Sequence, residues 1–147
     1  IIYACYYTSV SKFGNIVTML VNLAILISGL ISGNILFQTA VVAPSVFKIL
    51  SPKEASPFLR SIFPKLFFAN AFLGLVLFII ALFINIFLLY VVSSITFVSM
   101  LLCYYLVPFT NRARDSGNQS RFKKLHTISV VLTIIVLLIN LSWVFLI

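Results

Sequence analysis

Side chains that could carry acid–base or metal chemistry are few in this chain. Its only carboxylates are Glu54 and Asp115, and its only histidine is His126. A metal site usually requires three or four ligands, and His126 could be joined only by Cys103, Asp115 or a methionine. The sequence contains no glycine-rich phosphate loop and no recognisable pair of nucleophile and base. We therefore predict a protein that is not an enzyme and that has no catalytic residues, no cofactor and no metal.

The composition indicates what class of protein carries these residues. Hydrophobic residues make up 63% of the 147 residues and charged residues 8%, whereas soluble domains average about 45–50% and about 25%. Three long segments, 13–47, 66–111 and 125–147, contain no charged residue. A helix of about 20 residues crosses the ~30 Å hydrocarbon core of a membrane. Each segment is long enough, so the sequence predicts an integral membrane protein.

The middle segment is too long for one crossing. As a single helix it would measure roughly 70 Å, so it must turn back, and weak helix formers favour a turn near Tyr90–Ser94. The predicted fold is an all-α integral membrane four-helix bundle with up-down-up-down order, in one transmembrane domain over residues 1–147. Its spans lie near 15–42, 65–89, 92–109 and 125–146. Residues 1–12 are apolar and tyrosine-rich, which predicts an interfacial N-terminal segment.

The positive charges predict how the bundle is oriented. Nine of the ten lysine and arginine residues fall in two basic inner loops, 48–65 and 111–124. The positive-inside rule places such loops in the cytoplasm or the mitochondrial matrix. We therefore expect a bacterial inner membrane or a mitochondrial inner membrane, with both termini on the opposite side.

The same charges predict contact with lipids rather than with nucleic acid. The net charge is +8, but the cations are spread over the ends of hydrophobic spans, where each gains about 1 kcal/mol near an anionic membrane surface. The residues expected at lipid headgroups are Lys48, Lys65, Arg112, Arg121, Lys123 and Lys124.

Small and weakly polar residues recur at helical spacing within the spans. In lipid, such residues let helices approach closely and form hydrogen bonds between helices. We expect them to face the interior of the bundle, although the same asparagines could line a polar path. The predicted helix-packing residues are Asn22, Gly29, Ser32, Gly33, Asn70, Gly74, Asn85, Ser129, Thr133 and Asn140. Asn34 and Gln38 lie off this stripe on the first helix and are the best candidates for a polar path.

The first inner loop has its own local signals. Ser51, Pro52 and Glu54 form a capping box that predicts a helix start. Pro57 is expected to limit that helix to about one turn, after which a second short helix can begin.

Four short motifs occur in order along the chain. They cover residues 29–50 (GLISGNILFQTAVVAPSVFKIL), 62–67 (IFPKLF), 108–112 (PFTNR) and 122–129 (FKKLHTIS). Over roughly residues 25–140 the chain resembles the transmembrane protein 205-like family of small four-helix proteins. The resemblance implies a set of marked positions gathered at the inner face, namely Phe47, Phe63, Pro64, Asn111, Arg112, His126 and Ser129.

The resemblance leaves the activity open, because that family has no agreed biochemical function. Two departures from its pattern are Thr133, where an asparagine is expected, and the short loop before the last helix. A glycine-rich first helix and an Asn-Arg loop are also similar to the anthrone oxygenase-like membrane family, which is the rival resemblance.

Three classes of function fit this sequence. The first is a non-catalytic accessory or scaffold subunit that packs against larger membrane-protein subunits and lipids, and it fits best because no charged residue lies within a span. The second is a small transporter or efflux component with a polar path through Asn22, Asn34, Gln38, Asn70 and Asn85. The third is a membrane oxidoreductase or oxygenase-like protein centred on His126 and Arg112.

Overall fold

The computed structural model describes residues 2–146, with side chains described for residues 14–146. The helices are α1 (Ile2–Phe37), a π-helical segment (Gln38–Val42), α2 (Ala43–Ile49), α3 (Pro52–Ile84), α4 (Phe87–Asp115) and α5 (Gln119–Val144). The side chains of the predicted interfacial segment, residues 1–12, lie outside the described residues. Its backbone from Ile2 onward belongs to α1.

Four helical segments are long and apolar enough to cross a membrane: Gly14–Ile49, Pro52–Ile84, Phe87–Asp115 and Gln119–Val144. They pack as an antiparallel bundle in which α1 contacts α3 and α5, and α4 lies between α3 and α5. The predicted all-α fold with four spans is therefore confirmed. Within the bundle the hydrophobic core is built around buried side chains of all four spans, the largest being Trp143, Ile31, Ile35, Leu77, Leu89 and Met100.

The turn between the second and third spans lies earlier than the sequence analysis placed it. Asn85 ends α3 in the left-handed region (φ 55°, ψ 37°), and its backbone N–H donates to Ala81 O at 2.9 Å. Asparagine tolerates this conformation better than most residues, so it can end a helix where a glycine is more usual. Residues 90–94 instead lie within α4. The predicted helix-packing role of Asn85 is also wrong, because its side chain is exposed in the turn.

Most of the predicted inner loop 48–65 is helical. Helix α3 begins at Pro52, and the capping box is present, with Ser51 N–H donating to Glu54 Oε2 at 3.1 Å. The predicted break at Pro57 is wrong, since both Pro57 and Pro64 lie inside α3. A proline removes one backbone hydrogen bond. Pro57 is exposed, so water can satisfy the freed carbonyl group.

Packing at this end of the bundle also stabilises the start of α3. Val46 on α2 forms a buried cluster with Ala55 and Leu59 on α3. The short helix α2 thus folds its apolar side onto the first turns of α3. Burial of these side chains offsets the helix-breaking tendency of the proline.

The predicted loop 111–124 is also shorter than expected. Helix α4 extends to Asp115 and α5 begins at Gln119. Gly117 has φ 70°, a left-handed conformation that glycine adopts without strain. Asn118 then caps α5, because its Oδ1 accepts from Arg121 N–H at 3.0 Å. We name the end of the bundle that carries this turn and the α2–α3 connection the basic end.

The first span stays helical through Pro44 by changing its hydrogen-bond pattern. The five-residue π-helical segment ends at Val42, two residues before this proline, and Ala43 N–H donates to Gln38 O, five residues back. Pro44 has no N–H to donate and would crowd the carbonyl group four residues earlier in a regular helix. A π-bulge relieves that conflict and frequently occurs at functional sites.

Candidate functional site

Side-chain hydrogen bonds attach α5 to the first and third spans. Trp143 Nε1–H donates to Ser28 Oγ on α1 at 2.7 Å. Asn140 Nδ2–H donates to Thr96 Oγ1 on α4 at 2.8 Å and to Val136 O at 2.9 Å. These side chains are buried. Buried polar groups in a membrane require partners inside the protein, so the two contacts fix the position of α5.

A group of amides that we name the amide cluster (Asn34, Gln38 and Asn70) lies on the first span and α3. Asn34 Nδ2–H donates to Asn70 Oδ1 at 3.4 Å, and Gln38 follows Asn34 by one helical turn at the start of the π-helical segment. Asn70 and Gln38 are buried. Among the described residues, Asn70 Nδ2 and Gln38 Nε2 have no hydrogen-bond acceptor. The cluster therefore presents two buried donors that could bind water or a ligand acceptor.

Gly74 marks the closest approach of α3 and α4. A Cβ atom at this position would lie 2.9 Å from the backbone nitrogen of Phe97 and 3.0 Å from Cγ2 of Thr96. No side chain fits there without a shift of the backbone. Ser32, another predicted packing residue, is buried on α1, and its Oγ has no hydrogen-bond partner among the described residues.

Three of the four predicted packing residues of the first helix lie on the opposite side from the core. Asn22, Gly29 and Gly33 are exposed, and nothing outside the backbone of their own helix lies within 4 Å of a Cβ built on Gly29 or Gly33. The expectation that this stripe faces the bundle interior is therefore wrong for these three residues, whereas Ser32 is buried. The core-facing residues of α1 are the larger Ile27, Ile31 and Ile35. We name the exposed stripe Asn22, Gly29 and Gly33 the outer α1 face.

Two predicted packing residues on α5 are half-buried against α4. Thr133 Oγ1–H donates to Ser129 O at 2.7 Å. The same carbonyl group accepts a weak hydrogen bond from Cys103 Sγ at 3.7 Å. Cys103 is a buried free thiol, so this part of the α4–α5 contact is both tight and weakly polar.

The marked positions do not form a single site. Pro64 and Asn111 belong to a groove of about 280 Å³ between α3 and α4, whereas Arg112 belongs to a different groove beside the α4–α5 turn. The residues that line the first groove are Arg60, Pro64, Tyr104, Tyr105, Val107, Pro108 and Asn111.

The remaining marked positions lie elsewhere at the basic end. Phe63 stacks on Phe67 with ring centroids 5.9 Å apart, and His126 stacks on Phe122 at 5.8 Å. Phe47 is 66% exposed. The marked positions thus all lie toward the basic end, but they are divided among several separate contacts.

An ion pair joins α3 and α4 at this end. Arg60 Nη1–H donates to Asp115 Oδ2 at 3.0 Å, and Arg60 Nη2 contacts Asp115 Oδ1. Both groups lie beyond the charge-free segments that cross the membrane. Hydrogen bonds from Arg60, followed by the charges of Arg60 and Arg114, hold the pKa of Asp115 below its ordinary value. Sequence reasoning missed this contact, because the two residues lie 55 positions apart in the chain.

The six cations predicted at lipid headgroups are all exposed, namely Lys48, Lys65, Arg112, Arg121, Lys123 and Lys124. Their exposure leaves them available to anionic groups outside the chain. Among the described residues, no three histidine, cysteine, aspartate or glutamate side chains come together in a metal-binding arrangement.

Comparison with known proteins gives one match. A family model described as a domain of unknown function, DUF4149, matches residues 26–119, which is more than half of the chain. The matched region covers the C-terminal part of the first span, the second and third spans and the α4–α5 turn. No curated protein and no solved structure matches the chain significantly.

Proposed function

The chain belongs to the family of the domain of unknown function DUF4149, and from this premise we propose that it is a non-catalytic accessory or scaffold subunit. It packs against a larger membrane protein and against lipids. The observation that carries this proposal is the outer α1 face, which no described residue of this chain covers.

The chemistry of that face favours a helix of another chain over lipid. The Asn22 amide is exposed, and a polar group turned toward hydrocarbon requires a hydrogen-bond partner. Gly29 and Gly33 form a small-xxx-small pair, which lets a second helix approach closely enough for van der Waals and polar contacts. A lipid chain can supply neither the hydrogen bond nor a rigid complementary surface.

Burial leaves both outer spans open to a partner and does not choose between them. The buried share of the apolar stretch is 28% in the first span and 17% in α5, against 39% in each of α3 and α4. The first span is thus less enclosed by its own chain than the central pair. A partner helix on the outer α1 face would complete its packing.

Site-specific crosslinking tests the proposal. A photoreactive residue replaces Leu26, which lies on α1 between Asn22 and Gly29 and is 59% exposed, or Leu82 on α3, which is 56% exposed. We expect a discrete protein adduct from position 26 in the native membrane and only lipid adducts from position 82. Equal adducts from both positions, or none from position 26, would contradict the proposal.

A matched pair of variants then tests the glycines. Gly29→Leu with Gly33→Leu is expected to abolish the crosslink and the copurification of the same protein in mild detergent. Ala69→Leu places the same side chain at an exposed position on α3 and should preserve both. Retention of the partner by the double glycine variant would refute a role for the outer α1 face.

A transporter or efflux component is the second candidate, and the amide cluster favours it. Its two buried donors without acceptors lie beside a π-helical segment, which is an arrangement that a polar path could use. Solute flux into proteoliposomes that is lost in Asn34→Ala and Gln38→Ala, but kept in Gly33→Ala, would support this candidate.

A membrane oxidoreductase centred on His126 and Arg112 is the third candidate. A visible absorption band that copurifies with the protein and is lost in His126→Ala would support it. His126 stacks on Phe122 and does not line the groove that contains Arg112, so the first candidate remains the one with more geometric support.

The finer relationship to the transmembrane protein 205-like family, or to the anthrone oxygenase-like family, is part of this proposal. So is the orientation, with the basic end and its exposed cations at the cytoplasmic or matrix side of an inner membrane. In a background with Cys5 and Cys103 replaced by alanine, Lys53→Cys and Ser116→Cys should react with a membrane-impermeant reagent from one side, and Asn85→Cys from the other. Labelling of all three from the same side would overturn this orientation.

A further inference from the structure

A second groove at the basic end has an electrostatic character that the accessory function does not require. It lies beside the turn between α4 and α5 and has a volume of about 280 Å³. This volume is small for a drug-sized ligand, whose pockets measure about 300–1,000 Å³. Its lining combines two cations with polar and apolar neighbours: Phe109, Arg112, Ala113, Ser116, Asn118 and Arg121.

Neither acid of this chain neutralises the two arginines in the groove. Glu54 Oε2 accepts from the backbone N–H of Ser51 at 3.1 Å and from its hydroxyl at 2.6 Å. Asp115 is held by Arg60. These are the two carboxylates of the whole sequence. No carboxylate of the chain therefore competes with an external anion for Arg112 and Arg121.

The groove lies between the C-terminal end of α4 and the N-terminal end of α5. Arg112 lies in the last turn of α4, and Arg121 follows the Asn118 cap of α5. The third arginine of this region, Arg114, lies instead with its guanidinium 5.7 Å from the ring centroid of Phe122. The sequence thus directs two of the three arginines to one concave surface.

We infer that this groove binds a phosphate group through Arg112 and Arg121. A guanidinium presents paired N–H donors that match two phosphate oxygens, and arginine is therefore favoured where planar recognition of phosphate matters. The N-terminus of α5 adds a favourable dipole beside Arg121.

The position of the groove favours an anionic phospholipid as the source of the phosphate. Phe109 precedes Arg112 by one helical turn on the side of the membrane and is 47% exposed. An acyl chain can lie along Phe109 while the headgroup phosphate reaches the arginines at the boundary with water. This inference concerns a lipid site and is independent of the partner proposed for the outer α1 face.

Lipid binding to the purified full-length chain tests the inference. Native mass spectrometry would count phosphatidylglycerol and phosphatidylcholine molecules bound to the wild type, Arg112→Gln, Arg121→Gln and the matched control Lys123→Gln. Lys123 is exposed, does not line the groove and carries the same charge. We expect each arginine variant to bind phosphatidylglycerol roughly tenfold more weakly, as for loss of a charge-assisted hydrogen bond, and the control to stay within about twofold.

One further variant and one competitor sharpen the result. Arg112→Lys keeps the charge but loses the planar fork, so intermediate binding is expected. Unchanged circular dichroism in every variant excludes a folding defect. Millimolar inorganic phosphate is the competitor. If it displaces the lipid only when both arginines are present, the groove binds phosphate but its ligand is a soluble phosphate. An equal loss in Lys123→Gln, or no loss in either arginine variant, would overturn the inference.

Discussion

Gly74 and the pair Gly29 and Gly33 are the same residue type in similar sequence settings, yet they lie in opposite environments. A Cβ on Gly74 would meet the backbone of Phe97 at 2.9 Å, whereas a Cβ on either glycine of α1 meets nothing within 4 Å. Glycine in a membrane helix thus marks a place where another backbone can approach closely. It does not tell whether that backbone belongs to the same chain.

The largest expected effect comes from adding a side chain at Gly74, where α3 and α4 lie closest together. Gly74→Leu should prevent correct packing of α3 on α4, and Gly74→Ala should lower the free energy of unfolding by roughly 1–3 kcal/mol, as for overpacking in a core. Thermal unfolding in mild detergent measures this. Gly29→Ala and Gly33→Ala should not destabilise the isolated chain and should stabilise it by up to about 1 kcal/mol, because alanine favours the helix more than glycine does. Comparable losses at Gly74 and Gly29 would abolish the distinction between the two faces.

The asparagines extend the comparison from glycine to polar side chains. Asn140→Leu removes the hydrogen bond to Thr96 in the core and should destabilise the chain by about 0.6–1.7 kcal/mol, with any misfit of leucine adding to this. Asn22→Leu replaces an exposed amide and should leave the stability of the isolated chain unchanged. The same unfolding assay measures both. A stabilised Asn140→Leu variant would show that this hydrogen bond does not compensate the burial of its amide.

These contrasts show which features the sequence predicts. The three charge-free segments predicted four spans because lipid excludes charged groups almost regardless of packing details. Asn140 and Gly74 were predicted at helix contacts because small and polar residues need protein neighbours in lipid. The direction in which the stripe of α1 faces could not be predicted, because a helix–helix contact within the chain and one between chains require the same residues.

The errors at element boundaries have local causes. Asn85 adopts a left-handed conformation that an apolar run conceals, so the turn was placed near Tyr90 instead. Pro57 was expected to end a short helix, but its exposure to solvent lets α3 continue through it. The contact of Arg60 with Asp115 joins residues that are 55 positions apart, which spacing alone does not reveal.

A smaller effect is expected at the α1–α5 contact. Ser28→Ala removes the acceptor of the Trp143 indole N–H and should lower the free energy of unfolding by about 0.6 kcal/mol, the average for such bonds in a membrane protein. Trp143 is the single tryptophan of the chain, so its fluorescence reports this site directly. An emission spectrum identical to that of the wild type would argue against the hydrogen bond.

The smallest effect is expected where the bundle meets water. Because Arg60 holds the pKa of Asp115 below its ordinary value of 3.8, the folded state binds a proton there less readily than the unfolded state. The ion pair therefore stabilises the fold fully above pH 3.8, and its contribution is lost as the pH falls through the lowered pKa. Asp115→Asn should remove this acid-dependent part of the unfolding free energy, and Arg60→Gln should remove most of it. Since exposed ion pairs contribute little, the pH slope of thermal unfolding is the sensitive measure. A slope unchanged in Asp115→Asn would assign the acid response to Glu54, whose pKa the Ser51 hydrogen bonds also lower.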